Sequence, residues 1–382
     1  MIPFFAARRP ATRISNPMRR TSGAFRAALV GVTVVATTVA TTFVTAPPSP
    51  AAASLDTKVS VTGAGSSFLS NFLEQCKADV KSGLKINVTY QASGSGAGRS
   101  GFISGTTDFA GSDVAFSEAE RKKIKDSFVY IPATAGGIAV MYNLPGVTKL
   151  NLSGPVLAKI FSGQIAKWSD AAIAKENPGT TLPKETIRVI VRSDSSGTSS
   201  VFSSYLDSAG AGGWKKGITA TFPVPAGTGI AQKGSDGVAN FLSGAQGKFS
   251  IGFAEVSYAT ERKLGVANVI NAAGKPIGPT TVAVSAALAA ASANGDGTLK
   301  LNFATTDPAA YPISTTSYLI VRTKMDSKKG DVLRAFLTYA LGGCQKKSAP
   351  LGYAPLPPAL IKSGLDAVDK INPGAVASPT IP

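Results

Sequence analysis

Between Arg192 and Ser200 the chain reads RSDSSGTSS, an arginine and an aspartate followed by a glycine among serines and a threonine. TIRVIV before it reads as a buried strand, and VFSSYL after it as the first turns of a helix. Three more strand exits share this character: TGAGSSF, QASGSGAG and AGSDV. A helix N-terminus exposes about four unpaired N–H groups and about half a unit of positive charge. Glycine lets a guest approach the backbone, and serine or threonine adds a hydroxyl donor, which together make an anion site. Arg192 would add a bidentate charge. A single such turn reads first as a tight connection with a capping serine. Four in one chain, one flanked by Arg and Asp, read as an anion site.

The guest is not a nucleotide on this pattern. GxxxxGK[ST] is absent, and GSGAG at 94–98 lacks the G-x-G-x-x-G spacing. A small tetrahedral oxyanion fits better. The chain has no histidine, which excludes Ser-His-Asp and Cys-His catalysis and most zinc sites. An enzyme using these donors would still need an activated nucleophile or a metal. The expectation is a binding protein with no cofactor and no metal. A secreted phosphatase, or an adhesion or signalling protein on the same fold, are the alternatives.

The elements that would hold these turns alternate. KVSVTGAG, KINVTY, TDFAGSDV, SFVYIP, GGIAVMYN, TIRVIV and YPISTTSYLIVRTK read as strands or strand ends. SFLSNFLEQCKADV has helical spacing, EAERKKIKD reads as a polar helix, and Ser153 and Pro155 mark a helix start. The alanine-rich stretch at 282–293 continues the pattern, and DVLRAFLTYAL and PPALIKSGLDAVDKI close it as helices. Repeated strand-then-helix order means an α/β fold, in which ligands sit beyond the carboxyl ends of strands.

Formal charge is +17, yet residues 1–53 hold six arginines and no acid, leaving 33 basic against 22 acidic residues beyond them. That remainder is scattered, so it reads as a solvated surface and not as a nucleic-acid footprint. Residues 1–53 read as a targeting segment, with apolar residues 27–46 and small residues at Ala51 and Ala53 before a cut near Ala53. Twenty residues of helix reach about 30 Å, so an uncleaved anchor stays open as a second reading. No cysteine stands at the cut for lipid attachment. The expected location is periplasmic or on the cell surface. The only cysteines, Cys76 and Cys344, lie 268 positions apart. Export permits a bond between them, but only if the two chain ends meet in one domain.

TGAGSSF, YQASGSGAG, TDFAGSDV and RSDSSGTSSVFSSYL stand in the order and spacing of the phosphate-binding protein of bacterial ABC phosphate importers. IFSGQIAKWSD, SDGVANF, FSIGFAE, YPISTTSYLIV and LGYAPLP extend the resemblance over about residues 58–371. It implies a two-lobed periplasmic-binding-protein fold of type II, two α/β lobes joined by crossover strands with the ligand in the cleft. Residues 54–134 plus 310–371 would form lobe I and 135–309 lobe II, with crossovers near 133–136 and 308–314 and a loose tail at 372–382. Both cysteines then fall in lobe I, which supports the disulfide. The partners implied are inorganic phosphate and the membrane permease and ATPase subunits of an importer, with the binding protein a monomer.

Carried over by position, the phosphate ligands are Ser67 and Phe68 from the first turn and Ser95 from the second. Asp113 comes from the third, and Arg192, Ser196, Gly197 and Thr198 from the fourth. Asp194 would hold Arg192 from behind. Family members often have threonine where this chain has Ser67. Asp108 competes with Asp113 for the acceptor role; Asp113 is preferred because it follows the strand end, at the mouth. A carboxylate beside an anion helps only if the anion has a proton to donate, as phosphate has near neutral pH and sulfate has not.

Overall fold

The structure, a computed structural model, describes residues 55–373. The targeting segment at 1–53 and most of the tail lie outside the described residues, so those two readings are not addressed by it.

The first third of the chain alternates strictly: β1 (Ser60–Gly65), α1 (Ser70–Gly83), β2 (Asn87–Gln91), α2 (Ser95–Ser104), β3 (Phe109–Ser112) and α3 (Glu118–Arg121). β4 (Phe128–Asn143) is long, and β5 (Asn151–Ser153), α4 (Gly154–Phe161) and α5 (Ala171–Glu176) follow. Then come β6 (Arg188–Arg192), α6 (Gly197–Ala209), β7 (Gly229–Gln232), α7 (Gly234–Ser243), β8 (Ser250–Glu255) and α8 (Val256–Glu261). The short strands β9 (Gly265–Val266), β10 (Asn268–Ile270) and β11 (Pro276–Ile277) precede α9 (Thr281–Ala289). β12 (Ser292–Ala293), β13 (Leu299–Lys300), β14 (Ser314–Arg322), α10 (Ser327–Leu341) and α11 (Pro358–Val368) complete the described chain.

One sheet carries the site, in the order β2-β1-β3-β14-β4-β8-β6-β7, with β9 beside β4. The sequence reading split SFVYIP from GGIAVMYN; the structure joins them in β4. Residues 128–137 of β4 pair with β14, and residues 138–143 pair with β8. Gly136 and Gly137, at this change of partner, leave room for Phe68 and for Pro279 and Tyr311, which a Cβ would crowd. Pro132 has no N–H to give, and the β4–β14 register shifts opposite it, between Ser317 and Tyr318. EAERKKIKD is helical only over Glu118–Arg121, started by a capping box of Ser117 and Glu120, and irregular after it.

Packing sets where the helix starts lie. Phe202 of α6 stacks on Phe253 of β8 with ring centroids 4.4 Å apart, and Phe161 of α4 meets it edge-on at 4.8 Å. Truncating such a buried ring costs about 3–5 kcal/mol. This cluster clamps α6, whose first turn follows Arg192. Phe68 and Phe72 meet Tyr353 edge-on, each at 6.0 Å, and hold the turn after β1.

Cys76 of α1 and Cys344, just after α10, form a disulfide with their Cα atoms 5.6 Å apart. It ties the first long helix to the last third of the chain. Where β8 ends, opposite Ile138 of β4, sits Glu255, fully buried. Burial pushes its carboxyl from the ordinary 4.5 up to about 8, against the pull of the Ser257 hydroxyl and N–H and of the Tyr353 hydroxyl.

Two outcomes follow. Replacing both cysteines by serine removes a closed loop of 268 positions. At about 2–5 kcal/mol for a native disulfide, Tm should fall by about 5–10 °C; an unchanged melting curve would contradict the link. For Glu255, the folded form holds the proton more tightly than the unfolded chain. Its contribution is therefore full below about pH 4.5 and is lost as pH rises through about 8. Glu255→Gln should raise Tm by about 5 °C at pH 9 and change little at pH 5. Parallel pH–Tm curves for variant and parent would refute the assignment.

Candidate functional site

The four Gly/Ser/Thr turns converge. After β1, Ser66 caps a short 3-10 turn, Ser67–Leu69, accepting from the Phe68 N–H at 3.1 Å. Ser67 Oγ lies 2.9 Å from Ser235 Oγ and accepts from the Ser235 N–H at 3.1 Å. The hydroxyls of Tyr258 and Tyr353 donate to the carbonyls of Ser67 and Phe68 at 2.8 and 2.7 Å. These bonds leave little freedom to the turn.

After β2, Gly94 stands as N-cap of α2 with φ +96°, a conformation that favours glycine. Ser95 opens the helix and does not cap it; its Oγ accepts a long bond, 3.4 Å, from the Asp113 N–H. Gly96 donates its N–H to the Ser195 carbonyl at 2.9 Å, so the second and fourth turns touch through backbone.

After β6, Arg192 is buried, and its Nε and Nη2 donate to Asp194 Oδ1 and Oδ2 at 2.8 and 2.5 Å. Gly234 N–H donates to the same Oδ1 at 2.9 Å. Burial pushes the Asp194 carboxyl up, but the Arg192 hydrogen bonds and charge outweigh it and hold it below the usual range. Nη1 of Arg192 reaches Ser235 Oγ at only 3.4 Å. Ser196 does cap α6, accepting from the Ser199 N–H at 3.1 Å. The N–H groups of Gly197 and Thr198 meet no protein acceptor among the described residues. Gly197 is needed sterically: a Cβ there would lie 2.5 Å from Ser95 Oγ and 2.8 Å from Asp113 Cβ.

Asp113 follows β3 and is 3% exposed, so it lies inside and not at an open mouth. The two halves of the sheet meet over it. Ser66 Oγ donates to its Oδ1 at 2.6 Å, Ser317 donates to the same oxygen, and Thr198 Oγ1 donates to Oδ2 at 2.9 Å. Burial pushes its carboxyl up; the Ser317, Ser66 and Thr198 hydroxyls and then the Arg192 charge pull it down, and burial wins. Asp113 also lines a cavity of about 500 Å³, together with Val114, Ser200, Ser204, Phe303, Thr315 and Tyr318. Asp108 is committed elsewhere: it accepts from the Thr62 N–H at 2.8 Å and from Lys329 Nζ at 2.8 Å.

The four turns that carry Ser67, Phe68, Ser95, Asp113, Arg192, Asp194, Ser196, Gly197 and Thr198 are thus joined by direct contacts, Ser67 and Arg192 through Ser235 and Asp113 through Ser95 and Thr198. Sequence reasoning passed over Ser66, Ser235, Tyr258 and Ser317. Ser317 carried a signal, being one of four consecutive hydroxyl residues, Ser314 to Ser317, in a stretch read as a strand; the structure buries all four, and buried hydroxyls need partners. Groups of His, Cys, Asp and Glu able to hold a metal are absent among the described residues. No helix among them is long and apolar enough to cross a membrane.

Residues 38–343 match the PBP superfamily domain, PBP-like 2. Phosphate-binding protein PstS 2 of Mycobacterium tuberculosis is 38% identical over 322 residues, covering 81% of this chain and 86% of the relative. Phosphate-binding protein PstS of Xylella fastidiosa is 35% identical over 324 residues, covering 83% and 86%. Among solved structures, a phosphate-binding protein from Stenotrophomonas maltophilia has a TM-score of 0.61 at 22% identity, covering 81% of this chain and 93% of that one. A high-affinity periplasmic phosphate-binding protein, PfluDING, has a TM-score of 0.64 at 22% identity, covering 80% and 92%. The structural likeness carries the two-lobed fold, and the sequence likeness carries the family: this chain belongs to the PstS family of phosphate-binding proteins, within the PBP superfamily.

Proposed function

We propose that this chain captures inorganic phosphate outside the cytoplasmic membrane and delivers it to the permease and ATPase subunits of an ABC importer, acting as an exported monomer without catalysis. One observation carries the reading. Asp113, a buried carboxylate, accepts from the Ser66, Ser317 and Thr198 hydroxyls, with the Ser95 hydroxyl on its own N–H and Gly197, at the start of α6, packed beside it. Ser67, Phe68, Ser95, Arg192, Ser196, Gly197 and Thr198 complete the ligand set, and Asp194 keeps Arg192 aimed. Donors alone would take any oxyanion. The lone acceptor repels an anion with no proton and welcomes one that has a proton to share. Such a polar mismatch discriminates more strongly than size does.

The two lobes are residues 54–134 with 310–371, and 135–309. The hinge lies where β4 changes partner and where the chain returns through residues 308–314. Contacts between the halves, Ser67 with Ser235 and Thr198 with Asp113, support a closed form. A guest that bonds both halves shifts the hinge equilibrium toward closure.

Calorimetric titration of the mature chain at neutral pH should give tight phosphate binding and sulfate binding weaker by orders of magnitude; equal affinities would defeat the reading. Saturating phosphate should also raise Tm, since it binds the folded form alone. Arg192→Ala removes hydrogen bonds to a charged guest, each worth about 1.5–3 kcal/mol, so phosphate should bind about ten- to a hundredfold more weakly. An unchanged affinity would make Arg192 purely structural. Asp113→Ala should erode the preference for phosphate over sulfate, and a preference that persisted would remove Asp113 from the selecting role.

A further inference from the structure

We propose that Ser66 and Ser317 are specificity-positioning residues. Their hydroxyls fill Oδ1 of Asp113 and, with Thr198 on Oδ2, leave that carboxylate one open lone pair, so the site accepts one shared proton from its guest. This rests on the reading of the site as a phosphate site.

The count comes from geometry. An ionised carboxylate has about four lone-pair positions, two on each oxygen. Ser66 at 2.6 Å and Ser317 occupy both on Oδ1, and Thr198 at 2.9 Å occupies one on Oδ2. A proton placed on Oδ1 would displace one of the serine hydroxyls and strand it in the interior. Ser66 is further constrained, because its oxygen already accepts the Phe68 N–H. Any proton shared with a guest is therefore directed to Oδ2.

The sheet explains why these two serines do this. β3 lies between β1 and β14, and Asp113 is the first residue past its end. Ser66 stands just past the end of β1, and Ser317 stands within β14. Each strand flanking β3 therefore supplies one hydroxyl. Thr198 comes from the other half of the sheet. The pair on Oδ1 is thus assembled within one half, before any closure, while the bond to Oδ2 forms only when the halves meet.

One charged group acts on the carboxylate from a neighbouring element, Arg192 at the end of β6, already paired with Asp194; the carboxylate in turn helps to push up the hydroxyls of Tyr90 from β2 and Tyr318 from β14, which stay neutral. Arg192 supplies the nearby positive charge, and burial works against the ionised form. The two serine hydroxyls therefore weigh heavily in keeping Asp113 an acceptor. Sulfate can enter only if Asp113 itself takes up a proton. Above the Asp113 pKa, sulfate affinity then rises about tenfold for each unit of pH lost, and each unit by which Asp113 is raised gives sulfate about the same gain at fixed pH.

The test is calorimetric titration with phosphate and with sulfate between pH 5 and 8, on the parent, S66A, S317A, S66A/S317A and D113N chains. In S66A/S317A the phosphate-to-sulfate affinity ratio at pH 6 should fall at least about tenfold, and the onset of sulfate binding should move up by about one pH unit or more. A purely structural role would weaken both anions together; a ratio and pH profile that superimpose on the parent overturn the proposal. In the D113N background, adding S66A/S317A should change the ratio no further, and a further change would show that the serines do not act through Asp113. Should the double variant fail to fold, S317A alone decides: a ratio shift of at least about threefold supports the proposal, and no shift overturns it. A parent chain that binds no phosphate refutes the anion site itself. A parent that prefers phosphate, with variants that share its profile, refutes only the serines' role.

Discussion

Three hydroxyls hold a carboxylate, Asp113, in the interior where the two halves of one sheet meet, and among the described residues no cation is hydrogen-bonded to it. An ionised group in that position is tolerated only if its lone pairs are bonded. The protein meets most of that demand with neutral donors and leaves the remainder to a guest. Had a lysine or arginine been paired directly to Asp113, the acceptor would be consumed. Arg192 is instead given to Asp194, which neutralises its charge without spending all of its N–H groups. With Arg192 neutralised by Asp194, the site keeps the one negative charge of Asp113 and is rich in directional hydrogen, a combination that favours shape and proton count over net charge.

Each feature of the fold near this point serves that balance. Parallel strands β1, β2 and β3 end side by side, bringing three turns together. β4 runs unbroken through both halves of the sheet, so the fourth turn, after β6, comes to face the other three. The phenylalanine cluster around Phe202 fixes α6 from behind, and Tyr353 and Tyr258 hold the turn after β1 by its carbonyls. Glycine at 197 lets α6 approach Ser95 and Asp113 more closely than any side chain would allow. Rigid backing of this kind keeps donors aimed before a guest arrives, which lowers the ordering cost of binding.

Much of this was legible in the sequence because it is local. A strand followed by glycine and hydroxyl residues and then a helix marks a possible anion-facing turn, and the four turns and Arg192 were read that way, whereas Ser95 and Thr198 were named through the resemblance. What was not legible depends on strand order. Ser66 looks like a neighbour of the chosen Ser67, and Ser317 like part of a strand; only the placement of β3 between β1 and β14 joins both to Asp113. The continuity of β4 was hidden by Pro132, which reads as a break until a register shift in β14 absorbs it. The burial of Asp113 was hidden for the same reason, since the second half of the sheet covers what the first half alone would leave at a mouth.

The central claim concerns where one proton sits, and a crystal structure of the mature chain grown with phosphate tests it most directly. The account predicts tetrahedral density bonded to Ser95, Arg192 and the first N–H groups of α6, with one oxygen within about 2.5–2.7 Å of Asp113 Oδ2, the distance of a charge-assisted O–H···O bond. An anion whose four oxygens all rest on donors while Asp113 turns away, or one bound elsewhere on the molecule, would contradict it.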